Sequence, residues 1–148
     1  MARLYRLTEG GTSTWTGDVR FQSPDGTLAR GDGFSVTVEA PEPALLLMLS
    51  RDDADGVLQL AFPQPGAPYL QRVDAPTKLE AQIENDSSDG RMMLRAILIP
   101  ISKTKARELK MDDPKFRTAL LAQLKTLVPA MEEGKTPWAA RSIDFRIR

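Results

Sequence analysis

The sequence predicts a mainly β chain: an antiparallel β-sandwich or distorted barrel of about eight short strands, with one amphipathic helix. The helix is expected at about 113–128, packed on the sheets before a C-terminal strand. Most segments alternate apolar and polar side chains with period two, which is typical of strands, and one late segment changes to helical spacing. Helices do not alternate with strands, so a doubly wound parallel sheet is not expected. With 148 residues, the chain is expected to form one globular domain, residues 1–148.

The N-terminal part predicts three short strands. Residues 3–7 are expected to form the first, residues 18–22 the second and residues 34–38 the third. Glycine, proline and aspartate separate them, and these residues favour turns because they preset or tolerate the required backbone angles. In the second and third strands the apolar residues share one face: Val19 and Phe21, then Phe34, Val36 and Val38.

The central part predicts the core of the sheet. Residues 44–49 are apolar on both faces, which indicates a central strand covered on each side. A buried helix is the alternative, but the run is short and lies between prolines and aspartates. Residues 57–62, 77–84 and 92–99 are the next predicted strands. The last of these is mostly apolar and is interrupted by Arg95.

The C-terminal part predicts the helix and a final strand. Asp113 is expected to cap the helix and Pro114 to occupy its first position. An apolar stripe at spacings of four, four and three follows: Phe116, Leu120, Leu124 and Leu127. Pro129 is expected to limit the end of the helix. Residues 142–148 alternate again and predict a last strand, and this pattern often places the last strand beside an early one.

The acidic segment Asp52-Asp53-Ala54-Asp55-Gly56 has two interpretations. In a calcium loop of the EF-hand type, Gly56 at position six would place Arg51 at position one and Phe62 at position twelve. Neither residue can serve there, because both positions require an acidic oxygen ligand. Asp-Gly between apolar runs is a strong signal for a hairpin turn. The sequence therefore predicts a hairpin, and a weak calcium site at its tip is the alternative.

The composition excludes several chemistries. The chain has no cysteine and no histidine, which excludes disulfides, thiolate metal sites and catalytic arrangements built on Cys or His. An enzyme of this composition would depend on carboxylates, lysine or a bound cofactor. We therefore expect no enzyme activity, no cofactor and no metal, and we assign no catalytic residues.

Charge and hydropathy indicate which partners to expect. The net charge is zero, but residues 1–100 carry a balance of −5 and residues 101–148 one of +5. Phe116 is the one aromatic residue among the lysines of residues 103–125, and it is expected in the core, so nucleic-acid binding is not expected. The longest charge-free apolar run, residues 43–49, is too short to span a bilayer. The start lacks the apolar region of a secretory signal, which predicts a cytoplasmic protein.

Five residues are candidates for contact with a partner or ligand. Tyr69 and Trp138 lie in polar or proline-flanked segments, where an aromatic ring covers the core or anchors a partner. Lys115 and Lys125 lie on the basic helix, which is either a solvated face or a docking site for an acidic partner. Arg95 lies in an apolar strand, where it faces solvent, pairs with a carboxylate or lines a pocket. Another protein is the expected partner.

The order of these signals resembles a known bacterial family. In residues 27–36, a leucine is followed by small or basic residues, then by Gly-Asp, and then by the start of an alternating strand. The block Leu60-Ala61-Phe62-Pro63 and the later Ala75-Pro76 follow it. Together they resemble the family catalogued as domain of unknown function 4384, over roughly residues 27–100. Two features depart from its pattern: Gln64 stands where members commonly carry Asn, and residues 72–74 lack the usual glycine.

The resemblance implies a compact β-sandwich-like accessory module. Such modules are attached to caspase-like peptidases, protein kinases and envelope proteins, and the resemblance supplies no catalytic residues. The leading prediction is a non-catalytic protein-binding, adaptor or regulatory module of a bacterial system, associated with a caspase-like protease or kinase. One alternative is a component of a larger defence or secretion assembly. Another is a small-ligand receptor or carboxylate-based enzyme with a pocket near Arg95.

Overall fold

The computed structural model describes residues 2–10, 15–22, 27–28, 32–53, 56–62, 77–82, 90–101 and 115–147. Within these ranges the chain forms eight strands and two helices. In chain order they are α1 (Ala2–Leu7), β1 (Asp18–Gln22), β2 (Thr27–Leu28), β3 (Gly33–Glu39), β4 (Ala44–Asp52), β5 (Leu58–Phe62), β6 (Thr77–Gln82), β7 (Gly90–Pro100), α2 (Phe116–Glu132) and β8 (Ala139–Ile147). The predicted mainly β class is confirmed.

The strands form two sheets. The first has three antiparallel strands in the order β1-β3-β6, and the second has five in the order β2-β8-β7-β4-β5. The second sheet is antiparallel except for the short β2, which runs parallel to β8. Its longest pairing joins β4 to β7, from Ala44 opposite Pro100 to Asp52 opposite Met92. The described strands form no closed barrel, and the pairing of β8 with β2 confirms that the last strand lies beside an early one.

The five-stranded sheet is covered on both faces. Along β4, Leu46 and Met48 belong to a core shared with the three-stranded sheet. Leu45, Leu47 and Leu49 belong to a second core shared with the helices. The predicted doubly covered strand is therefore confirmed, and the molecule has three layers: sheet, sheet and helices. Burying each of these leucines contributes about 1.5–3 kcal/mol to stability.

We name the two cores by what covers the five-stranded sheet. The sandwich core comprises Val19, Phe34, Val36, Val38, Ala40, Ala44, Leu46, Met48, Leu94, Ala96, Leu98 and Ala139. The helix-side core comprises Leu4, Tyr5, Leu45, Leu47, Leu49, Ile97, Ile99, Ile101, Leu120, Leu124, Val128, Met131 and Ala140. The faces predicted from alternation in β1 and β3 are confirmed, because their apolar residues lie in or against the sandwich core.

The N-terminal segment corrects one prediction. Residues 3–7 do not form a strand, because they lie in helix α1, Ala2–Leu7. Leu4 is buried in the helix-side core and Leu7 packs partly against it; a spacing of three places them on one face of a helix rather than of a strand. Thr8 then follows the helix, donating its N–H and its hydroxyl to the Leu4 carbonyl at 3.1 and 2.9 Å.

Helix α2 confirms the predicted amphipathic helix but shifts its start. It begins at Phe116, with Lys115 at the N-cap position and no capping hydrogen bond from that side chain. The predicted cap, Asp113, and Pro114 lie outside the described residues. Leu120 and Leu124 are buried as expected, and Val128 and Met131 continue the stripe for one more turn.

Pro129 does not end the helix as predicted. It lies inside α2, which continues to Glu132. Proline removes one helical hydrogen bond, but Val128 and Met131 on either side of it are buried in the helix-side core. Packing therefore outweighs the lost bond. The chain leaves the helix at Gly134, whose φ of 76° is the left-handed conformation that glycine adopts after many helices.

The acidic segment confirms the predicted hairpin. Strands β4 and β5 pair antiparallel, with Arg51 opposite Leu58. Gly56 has a φ of 67° and donates its N–H to the Asp52 carbonyl at 2.8 Å. Ala54 and Asp55 lie outside the described residues. The turn geometry at Gly56 explains why this position favours glycine.

We expect Asp53→Asn to leave stability nearly unchanged, because Asp53 is exposed in this turn and surface substitutions usually change the unfolding free energy by about 0.5 kcal/mol or less. The melting temperature should move by less than about 2 °C, in calcium or in chelator, as measured by differential scanning fluorimetry. Asp144→Asn, an exposed aspartate on β8, is the matched control. A large calcium-dependent rise in melting temperature that Asp53→Asn removes would contradict the hairpin interpretation.

Candidate functional site

An open cleft of about 480 Å³ lies where the end of α1 meets β7 and β8. Its lining residues are Thr8, Gly10, Met93, Arg95, Ala140, Arg141 and Ser142. Met93 and Ala140 also belong to or pack against the helix-side core. The cleft is therefore on the helix side of the five-stranded sheet. Its volume lies within the range of small-molecule sites.

Strand alternation places Arg95 in this cleft. One face of β7 lies in the sandwich core: Leu94, Ala96 and Leu98. Arg95 shares the opposite face with Ile97 and Ile99, and only 6% of its surface is exposed. Its register partner on β8 is Ser142, so the two side chains extend from neighbouring strands toward the same space.

Three groups hold the Arg95 guanidinium in place. Its Nε donates to Ser142 Oγ at 2.9 Å, and its Nη1 donates to the Tyr5 backbone carbonyl. The guanidinium carbon lies 3.8 Å from the centroid of the Tyr5 ring, a cation–π contact. The Tyr5 hydroxyl in turn donates to Met93 Sδ at 2.7 Å. Arg95 therefore connects α1 to β7 and β8.

The charge of Arg95 has no carboxylate partner among the described residues. A guanidinium has five N–H donors, and Ser142 and Tyr5 accept two of them. In the described part of the chain, no fully buried side-chain nitrogen or oxygen lacks a hydrogen-bond partner. The Nη2 atom, to which none of these residues offers an acceptor, therefore keeps some exposed surface, and Arg95 borders the cleft. A cation this deeply buried is costly unless negative charge or dipoles compensate it.

The Tyr5 carbonyl supplies part of that compensation. It belongs to the last turn of α1, where carbonyl groups lack partners within the helix and carry partial negative charge. Thr8 Oγ1 donates to the same carbonyl at 3.2 Å. These hydrogen bonds satisfy the Tyr5 carbonyl at the end of α1. A carbonyl dipole and an aromatic face carry no full negative charge, so they do not neutralise the Arg95 guanidinium.

A second contact fixes α1 on α2. Arg3 Nε donates to Glu132 Oε1 at 2.9 Å, and Nη2 lies 2.8 Å from the same oxygen. The hydrogen bond that Arg3 donates to Glu132 and the Coulombic attraction of this carboxylate raise the pKa of Arg3 above its ordinary value. Because the folded pKa is raised, the stability that the Arg3 shift contributes is fully present below the unfolded pKa of Arg3 and is lost as the pH rises through the folded value. The Arg3 shift therefore adds no pH dependence near neutrality.

None of the described partner-binding candidates, Lys115, Lys125 and Trp138, lines the cleft. Lys115 and Lys125 are both exposed, ten positions apart at the start and middle of α2, or about 15 Å along its axis. Trp138 is half-buried and packs against the helix-side core. Tyr69 lies outside the described residues. Trp15 packs against the sandwich core, and its Nε1 donates to Glu42 Oε1 at 3.2 Å.

The sequence predictions missed Tyr5 and Ser142, which contact Arg95, and Thr8, which lines the cleft. Tyr5 and Thr8 were hidden because their segment was interpreted as a strand or a loop. Ser142 carried no signal beyond its place in an alternating strand. Arg95 did carry a signal, because a charged residue inside an apolar run requires a specific partner or an opening to solvent.

Comparisons with known proteins give no further identification. No protein-family model matches this chain, and no curated protein matches it in sequence. The resemblance to domain of unknown function 4384 stays a prediction. Among the described residues, neither helix has the length and apolar character needed to cross a membrane.

Proposed function

We propose that this chain is a non-catalytic binding module, and that the group it binds is an anion received by Arg95 in the cleft. The observation that supports this is the state of Arg95: 6% exposed, without an ion pair among the described residues, and at the border of the cleft. An anion in the cleft would complete the compensation of this charge. Charge-assisted hydrogen bonds to a guanidinium are among the strongest polar contacts in proteins.

The lining favours binding over catalysis. Among the described residues, those that line the cleft offer two guanidinium groups, of Arg95 and Arg141, together with hydroxyl groups and apolar surface, and they include no carboxylate and no lysine. Ser142 has no general base among them to activate its hydroxyl. The receptor alternative predicted near Arg95 is therefore better supported than the carboxylate-based enzyme.

The predicted adaptor role fits the same proposal if a partner protein presents the anionic group. Exposed Leu121, about half accessible, and Lys125 one turn later lie on the same side of α2. This exposed face of α2 is a second surface that a partner protein could contact. Association with a caspase-like protease or a kinase, or membership of a larger assembly, are the predicted contexts.

Binding at Arg95 can be tested by titrating the ¹⁵N-labelled chain at pH 7 with two anions, inorganic phosphate and butyrate. At least one of them should cause saturable shifts of the Gly10 and Ala140 amides, which border the cleft. Arg95→Gln should abolish these shifts, because the amide side chain carries no charge. Lys78→Gln, an exposed cation on β6, should leave them unchanged. Shifts that persist in Arg95→Gln, or an absence of shifts with both anions, would contradict the proposal.

A further inference from the structure

We infer that the anionic group bound at Arg95 is a carboxylate, held between Arg95 Nη2 and the hydroxyl of Ser142. This inference rests on the proposed function and names the chemical class of its ligand. Three features of the cleft support it: the donors that remain available, the number of uncompensated cations, and the apolar part of the lining.

Ser142 offers a second donor beside Arg95. Because Arg95 Nε can only donate, Ser142 Oγ is the acceptor in their 2.9 Å hydrogen bond. The hydroxyl proton of Ser142 is then free to be donated elsewhere, and the residue is exposed. Arg95 Nη2–H and Ser142 Oγ–H therefore form a pair of donors from adjacent strands. A planar carboxylate, with two oxygens, matches two neighbouring donors.

Among the described residues that line the cleft, Arg95 is the one cation without a carboxylate partner. Arg141 also borders the cleft, but its side chain is directed to the other face of the sheet, where Nη2 lies 3.8 Å from Asp18 Oδ1. Alternation along β8 explains this, since Ala139 belongs to the sandwich core and Ala140 to the helix-side core. One guanidinium neutralises a carboxylate. A phosphate dianion would retain a net negative charge in a partly desolvated site, which is unfavourable.

The rest of the lining suits a ligand with an apolar part. The apolar residues Met93 and Ala140 line the cleft, and Met93 contacts the hydroxyl of Tyr5, whose ring stacks on Arg95. Inorganic phosphate has no apolar group to cover this surface. An aliphatic carboxylate would bury its chain against Met93 and Ala140, and burial of apolar surface contributes about 25 cal/mol per Å².

Two sources can supply this group: a small organic acid, and the C-terminal carboxylate of a peptide. The experiment compares four probes by amide shifts at Gly10, Ala140 and Ser142: butyrate, inorganic phosphate, the tripeptide Ala-Ala-Leu, and its C-terminal amide. Butyrate should bind more tightly than phosphate. Tighter binding of the tripeptide than of butyrate, lost on amidation, would identify a chain terminus as the source; tighter binding of butyrate would identify a small acid.

Ser142→Ala provides the decisive variant. It removes one hydrogen bond to a charged group and should weaken butyrate binding by about tenfold. Ser50→Ala, a partly buried serine of β4 outside the cleft, should leave affinity unchanged. Unchanged affinity in Ser142→Ala would overturn the inference, as would saturable binding of phosphate without binding of butyrate; in both cases the proposed function stands. If neither butyrate nor phosphate binds, the proposed function fails as well.

Discussion

Replacing Leu47 by aspartate is expected to unfold the domain. Leu47 has no exposed surface and lies in the middle of β4, on the face covered by the helices. Removing a buried leucine side chain alone costs about 2–5 kcal/mol. The carboxylate adds the cost of an unpaired buried charge, which is about several kcal/mol even after relaxation. A domain of this kind has a total free energy of unfolding of about 5–15 kcal/mol. The combined cost of the lost leucine side chain and the buried charge therefore equals or exceeds this stability.

Circular dichroism and thermal denaturation test this expectation. Leu47→Asp should show no cooperative transition at 25 °C or above, whereas Leu47→Ala should fold with a lowered melting temperature. Gln59→Asp introduces the same charge on β5, at an exposed position, and should behave like the parent chain. A cooperative transition near the parent melting temperature in Leu47→Asp would show that β4 is not enclosed by two layers.

The central sheet could be predicted because its pattern is local. A run of six apolar residues between proline and aspartate allows few structures, and burial on both faces follows from the lack of a polar face. The alternation in β1 and β3 is equally local. These predictions needed no knowledge of which strands pair, whereas the assignment of strands to two sheets depends on contacts distant in sequence.

The two errors in the helices have a common physical origin. In a segment as short as 3–7, a period of two and a period of 3.6 are difficult to distinguish, and packing decides the conformation. Burial of Leu4 and Tyr5 against the sheet stabilises α1. At Pro129, propensity predicted an end, but the buried neighbours Val128 and Met131 keep the turn helical. Tertiary packing outweighed local propensity in both places.

The cleft could be predicted only in part. Arg95 was identifiable as a charged residue in an apolar strand. Its partners were not, because Tyr5 is 90 positions away along the chain and Ser142 is 47 positions away. Their meeting requires both the register of β7 against β8 and the docking of α1. A single sequence without that topology does not indicate which side chains meet.

Arg95 also has a structural role that can be separated from binding. It satisfies the end of α1 through the Tyr5 carbonyl and stacks on the Tyr5 ring. An anion at Nη2 would neutralise the guanidinium without requiring either contact to break. Binding should therefore strengthen the attachment of α1, since a ligand that binds only the folded arrangement stabilises it.

Arg95→Met is expected to loosen α1 while the sheets stay folded. The change removes a charge-assisted hydrogen bond to Tyr5 and a cation–π contact, together about 2–4 kcal/mol. The desolvation cost of the buried charge disappears as well and offsets part of this loss. We expect a net destabilisation of about 1–3 kcal/mol and a melting temperature lowered by roughly 2–10 °C. Hydrogen exchange should accelerate in residues 2–10 and remain slow in β4 and β7.

Arg3→Met is the matched control for this experiment. It removes the other contact that holds α1, the ion pair with Glu132, whose two side chains are 60% and 40% exposed. Exposed ion pairs contribute little to stability because solvent screens them, so exchange in α1 should change less than in Arg95→Met. We expect the larger effect for Arg95→Met because Arg95 is only 6% exposed. Solvent screens its guanidinium less than it screens the guanidinium of Arg3 at the surface. Equal acceleration in both variants, or slow exchange of α1 in Arg95→Met, would show that the apolar contacts of Leu4 and Tyr5 alone hold this helix.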